Sequence, residues 1–175
     1  MSRRVPSEKK ALKILRQAGC STKVVEHCVK VAHYAKEIAE SCRKKGVQVD
    51  VELVRIGALL HDIGRAKTHT VNHSIVGAQL ARELKLSNSI VSIIENHVGT
   101  GINESEAEKL GWPIKSYVPK TLEERIVAYA DKLIAGSSLM SIDLALDQLR
   151  RENGVSSDAV ERLKLWHEEL SNCKG

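Results

Sequence analysis

An all-α, single-domain helical bundle of about seven helices is the architecture that this 175-residue sequence predicts. Apolar residues recur at helical rather than alternating spacing almost throughout. No internal repeat or low-complexity segment is visible, and no linker separates two halves. The length suits one domain, 1–175, and is enough to bury a sizeable core.

The first helix covers about 7–18 and stops at Gly19, and a long second one starts near Ser21 and ends before Gly46. The third spans 51–61, with Asp50 placed as its N-cap. A fourth runs from about 72 to 84 and a fifth from 89 to 97. An irregular stretch, 98–120, holds Gly99, Gly101, Gly111, Pro113 and Pro119, with room for a short helix at 104–110. Thr121-Leu-Glu-Glu124 then matches a capping box, and the helix it opens runs to about Ile134. Two amphipathic helices, 139–152 and 157–170, follow, and no segment reads as a strand. The expected core lies at about 21–135, with the helix at 7–18 and the helices within 139–172 packed on it. The C-terminal pair suits either a monomer's core or a homodimer face, and the first is the expectation.

Charged residues make up 28% and hydrophobic ones 42%, an ordinary globular composition. No apolar run approaches the length of a membrane span, and Met1-Ser-Arg-Arg-Val-Pro lacks a signal peptide's hydrophobic segment, so a cytoplasmic protein is expected. Cys20, Cys28, Cys42 and Cys173 form no CxxC pair and read as reduced thiols, Cys28 and Cys42 in the core. The net charge of +5 is dispersed apart from Arg3-Arg4 and Arg43-Lys44-Lys45, which read as solvated ends of elements. Phe is absent, so a stacking platform has almost nothing to be built from, and no dedicated nucleic-acid surface is evident. Basicity still favours phosphorylated substrates through long-range attraction.

The chemistry begins at His61-Asp62, at the end of the almost wholly apolar segment 53–60. A carboxylate leaving a buried helix needs a compensating charge, and the adjacent imidazole suggests a metal cation. Gly64 is expected to let the chain turn sharply just after the pair. In the second helix, Val24, Cys28, Val31, Ala35, Ile38 and Cys42 share a stripe with His27 at its margin, while His33 lies on the opposite side. His73 begins a run with Val76, Gly77, Leu80 and Leu84, and Gly77 lets another helix approach closely. His97 follows Ile90, Ile93 and Ile94 at helical spacing, and Asp131 shares a side with Val127 and Ile134. His167 also lies on an apolar stripe and reads as structural or surface. Any one of these histidines alone reads first as a hydrogen-bonded core residue; the weight lies in the set, because burying so many polar rings without a shared purpose is costly.

The string His61-Asp62-Ile63-Gly64, with His27 before it and His73, His97 and Asp131 after it, resembles the H…HD…D core of the HD superfamily of metal-dependent phosphohydrolases. The extra histidine pair resembles the two-metal subset of that family, which includes HD-type phosphodiesterases and dinucleoside tetraphosphate hydrolases. The resemblance implies that His27, His61, Asp62 and Asp131 bind one ion. It implies that His73 and His97 bind a second, with Asp62 bridging. Imidazole and carboxylate ligands suit Mn²⁺, Fe, Co²⁺ or Ni²⁺, with Mg²⁺ or Zn²⁺ also admissible. Such ions neutralise phosphate oxygens and lower the pKa of water, so metal-activated hydroxide becomes available near neutral pH.

Arg65 and Lys67 are candidates to hold phosphate oxygens or are solvated loop charges. His69 is a candidate to protonate the leaving group or touch substrate, or an exposed loop residue. The loop 98–120 is the expected source of specificity. Its Trp112 and Tyr117 either stack on a base or anchor the loop. His97 is followed by Val98, unlike the His-His pair of HD-GYP phosphodiesterases, and no acidic pair follows HD as in stringent-response hydrolases. The chain is also far shorter than the HD-type dNTP triphosphohydrolases. The expected activity is hydrolysis of a phosphomonoester or phosphodiester of a small phosphorylated molecule, a nucleotide foremost. The competing readings are a regulatory metal- or nucleotide-binding module and a factor that processes RNA ends or cyclic phosphates.

Overall fold

Short polar side chains set where most helices begin. In a computed structural model of the chain, Ser7, Ser21, Asp50, Ser87, Asn103, Thr121 and Ser141 each accept a backbone N–H from the first turn that follows. The structure describes residues 5–152 and 156–174; Arg3-Arg4 lies outside them. The described helices are α1 (Glu8–Ala18), α2 (Thr22–Lys44), α3 (Val51–Leu60), α4 (His73–Glu83), α5 (Asn88–Asn96), α6 (Glu104–Lys109), α7 (Leu122–Leu133), α8 (Ile142–Arg151) and α9 (Ser157–Lys174). The all-α expectation holds, with nine helices among the described residues rather than about seven. The shortest, α6, forms inside the loop because Asn103 and Glu106 complete a reciprocal capping box.

The expected absence of strands is corrected between α7 and α8. Ile134–Ala135 (β1) pairs antiparallel with Ser138–Leu139 (β2), in the register Ile134 opposite Leu139. Gly136, at φ +59°, makes the turn, and Ser141 caps α8 so that it begins at Ile142, not at 139.

The central element is α3, whose Val54, Ile56, Ala58, Leu59 and Leu60 are all buried. A helix apolar on so many sides must be surrounded, and α1, α2, α5 and α7 pack around it. Outside this layer, α4 lies on α5, while α9 lies against α2, α7 and α8. Leu146 and Leu149 of α8 and Leu163, Trp166 and Leu170 of α9 join the same core. Among the described residues, no helix is long and apolar enough to cross a membrane.

One reading needs correction here. Cys42 and Cys173 are not reduced thiols: they form a disulfide, with Cα atoms 4.5 Å apart, that ties α9 to α2. Cys20 and Cys28 are free. Gly64 lies where the chain turns tightly just after His61-Asp62, in a 3-10 turn (Ile63–Ala66) against the start of α4. A Cβ built there would lie 1.8 Å from the His73 carbonyl oxygen, so close backbone approach is what demands glycine. Gly77 serves the same junction, its Cβ position 3.1 Å from the Gly64 nitrogen.

Candidate metal centre

Separate elements deliver the polar groups to one point. His61 caps the C-terminal end of α3 and is fully buried; Asp62 follows at 4% exposure and leads into the 3-10 turn. His27 comes from α2, His73 opens α4, His97 caps α5, and Asp131 lies on α7. His33 stays at the surface, paired with Glu37 one turn on, as its helical face predicts. His167 shares a 2.7 Å hydrogen bond with the Tyr129 hydroxyl, away from this cluster.

The backbone decides the tautomer of three rings. The Nδ1 of His61 lies 2.6 Å from the Ala58 carbonyl, that of His73 2.7 Å from Thr70, and that of His97 2.7 Å from Ile94. A carbonyl oxygen only accepts, so each Nδ1–H donates, and in the neutral ring each Nε2 turns a lone pair inward. The Nε2 atoms of His73 and His97 are 3.0 Å apart. Those of His73 and His97 lie 3.1 and 3.4 Å from Asp62 Oδ1, while those of His61 and His27 lie 3.7 and 3.9 Å from Oδ2. Asp131 Oδ1 sits 2.9 Å from His27 Nε2 and 3.2 Å from His61 Nε2.

Among the described residues, buried His61 Nε2 and Asp62 Oδ1 have no hydrogen-bond partner of proper geometry. Lone pairs facing lone pairs and carboxylates repel unless a cation stands between them. The donor set therefore fits a metal: His27, His61 and Asp131 form one group able to hold an ion, and His61, Asp62 and His97 another. Donation of Nδ1–H to a carbonyl is also the usual way a metal-binding imidazole is oriented.

The two carboxylates set the electrostatics of the cluster. Burial pushes the His61 imidazole down, but Asp62 and Asp131 override it and hold the group well above its ordinary range. Burial also lowers His97, and the charge at His61 adds to that against the pull of Asp62. Burial disfavours charge on Asp62, yet His61, His73 and His97 hold its carboxyl well below the usual range. Asp131 is held down likewise by His61 and His27. Two carboxylates thus stay ionised in the interior and draw positive charge to this point.

The remaining candidates are placed differently. Arg65 donates from Nε to Asp62 Oδ2 at 2.9 Å and from a terminal nitrogen to the His69 carbonyl at 3.2 Å. His69 is exposed and stands on the wall of a cavity of about 630 Å³ that reaches His27 and Asp62. Lys67 is exposed and lines neither this cavity nor a second one, of about 690 Å³, that reaches His73, His97 and Asp131. The turn Val98–Ile102 walls that second cavity, so part of the loop 98–120 does border the cluster. Trp112 and Tyr117 do not face it as a stacking platform. They are 7% and 1% exposed and form a small core with Ala107, because the loop needs an apolar anchor of its own.

Several supporting residues escape a reading by single motifs. Trp112 Nε1 donates to Asn72 Oδ1 at 2.7 Å, fixing the residue before His73. Buried Glu124 accepts from Asn96 Nδ2 at 2.9 Å, fixing the residue before His97. Arg162 donates from Nε to the Thr100 carbonyl at 3.0 Å, and Thr100 Oγ1 donates to the Ala159 carbonyl at 2.9 Å, joining the turn to α9. Lys23 and Lys30 carried a local signal, four residues before and three after His27 on one helical face. Both line the smaller cavity.

A helical fold with this histidine and aspartate cluster defines a class, and comparison with known proteins defines the family. Residues 24–136 match the model of the HD domain, and the chain belongs to that family. It is 47% identical to an uncharacterized protein of Methanocaldococcus jannaschii over 93% of this chain and 96% of that one. It is 39% identical to the tRNA (cytidine(56)-2'-O)-methyltransferase of Picrophilus torridus, covering 98% of this chain but 48% of the relative. The chain thus spans about half of that methyltransferase. Among solved structures, the HD domain of the Listeria monocytogenes phosphodiesterase PgpH in complex with cyclic-di-AMP superposes with a TM-score of 0.56. It is 17% identical, over 93% of this chain and 95% of that one, so the likeness is one of fold.

Proposed function

We propose that this chain is a metal-dependent phosphohydrolase acting on a phosphomonoester or phosphodiester of a nucleotide. The observation that carries the reading is the convergence of backbone-locked imidazole Nε2 atoms on the two oxygens of Asp62. His27, His61, Asp62 and Asp131 would hold one divalent ion, and His73 and His97 a second that shares Asp62. Mn²⁺, Fe, Co²⁺ and Ni²⁺ match the ligands best, and Mg²⁺ or Zn²⁺ is compatible. When bound, such ions supply Lewis acidity for phosphate oxygens and a lowered pKa for water.

The chain's own residues do the rest. Arg65 spends its Nε on Asp62, which keeps the guanidinium beside the carboxylate and leaves other N–H groups for a phosphate oxygen. The His69 imidazole, on the wall next to Asp62, is the group assigned to protonate the departing oxygen. Lys67 lines neither cavity, so its part is long-range attraction of an anion. The apolar wall of the larger cavity faces the organic part of the substrate. A regulatory module of little turnover would not need the complete donor set. A cytoplasmic location accompanies this reading; the Cys42–Cys173 bridge is unusual for that compartment outside hyperthermophiles.

The test is turnover of bis(p-nitrophenyl) phosphate and of nucleotide mono- and diesters with added Mn²⁺. His61→Ala should lower the rate at least ~100-fold. Equal rates in the two proteins would overturn the assignment.

A further inference from the structure

The two cavities meet at the candidate centre but differ in chemistry. The larger, about 690 Å³, is walled by Val98, Ile102, Leu110, Ile134, Met140 and Leu149. One of its cations, Lys132, is neutralised by Glu152 at 2.8 Å. A cavity of this size and apolar lining suits a ring system with a few polar contacts. The smaller, about 630 Å³, presents Lys23, Lys30, Arg65 and His69 around His27 and Asp62, with Val24 as its aliphatic side chain. Its other acid is Glu26. The first turn of α2, which forms part of this wall, carries Lys23 and no acidic residue. Lys30 donates to the Ser137 carbonyl at 2.9 Å, holding the β1–β2 turn at the rim. Arg65 borders both cavities and marks their junction.

We infer that the substrate has two unlike arms: a nucleoside seated in the apolar cavity, and a chain of further phosphates running through the basic one. This rests on the hydrolase reading above and names its substrate class. A base in the smaller cavity would lie among ammonium groups without an apolar wall, whereas each added phosphate gains a cation. The scissile phosphate lies between the cavities, beside Asp62 and Asp131. Hydrolysis forms a bond from the water oxygen to phosphorus and breaks the bond from phosphorus to the oxygen of the phosphate-chain arm. One water proton ends on that departing oxygen, and the nucleoside monophosphate stays behind in the apolar cavity.

Calorimetric binding to the full chain with Mn²⁺ tests this, using adenosine 5′-monophosphate, α,β-methylene adenosine 5′-triphosphate and a phosphorothioate triadenylate. At least one of the two longer probes should bind ten-fold or more tightly than the monophosphate. Which one does so separates a free polyphosphate from a nucleic-acid strand. The double variant Lys23→Glu, Lys30→Glu should erase that advantage, while Lys44→Glu, at the far end of α2, should keep it. Met140→Trp, which narrows the apolar cavity, should weaken all three. Equal affinity for every probe, or an equal loss in Lys44→Glu, would overturn the two-arm substrate. The His61-dependent turnover of bis(p-nitrophenyl) phosphate is read separately, so failure of the hydrolase reading is distinguishable from failure of this one.

Discussion

Asp62 stays ionised at 4% exposure because its two oxygens face different imidazole pairs, His73 and His97 on one side and His61 and His27 on the other. This division makes it the group whose loss reaches furthest. Asp62→Ala should abolish bound metal altogether, whereas His73→Ala should deplete mainly one ion of two, as elemental analysis of purified protein would show. Loss of both ions in His73→Ala would count against two separable sites. At this scale much was legible in the chain. Helical phase separates His27 from His33, because a face is set by the 3.6-residue period before any tertiary contact forms. The partners of these side chains were not legible. That Glu124 reads as a helix cap is visible in Thr121-x-x-Glu124, but its bond to Asn96 joins two helices whose meeting no local pattern states.

Close backbone approach fixes how the elements carry the site. Gly64 and Gly77 let the 3-10 turn that follows Asp62 lie directly on the helix that His73 opens. Gly64→Ala would press a methyl group into the His73 carbonyl, and should cost about 1–3 kcal/mol or more and displace the His73 side chain. Chemical denaturation together with metal titration checks both effects. A second joint ties α4, α5 and the loop after α6. Glu95 receives Arg82 and Lys115 at 2.8 and 2.7 Å with its side chain 12% exposed. Burial works against its charge, but the two cations prevail and lower its pKa from the ordinary 4.5. Its stabilisation is therefore complete above pH 4.5 and is lost as pH falls through the lower folded value. Glu95→Gln should cost about 1 kcal/mol at neutral pH, given half-exposed partners, and the difference from wild type should vanish in acid. Asp50 and Thr121 made two helix starts readable as caps, since each is a local competition between a side chain and its own backbone. The hairpin at 134–139 was not, since two-residue strands have too few positions to show a period.

Over the whole molecule, the disulfide closes the chain on itself, tying Cys42 at the end of α2 to Cys173 near the end of α9 across 131 residues. Cys173→Ser should lower stability by about 2–5 kcal/mol, and thermal unfolding with and without reductant should show wild type falling to the variant's level only when reduced. Because α9 also holds the turn after His97 through Ala159 and Arg162, the loss should be accompanied by weaker binding in the larger cavity. Spacing could not pair these cysteines, because a long-range bridge depends on where two helices end in space. The division of labour follows from range. Local rules of period, capping and residue chemistry determined the helical class, the family signature and the set of inward histidines and aspartates. Tertiary packing alone decided how Asp62 is shared between imidazole pairs, that Trp112 and Tyr117 fill a core, and that an apolar and a basic cavity meet at one point. Those features depend on distances between elements far apart in the chain, and such distances are set by side-chain volumes across the packed interior.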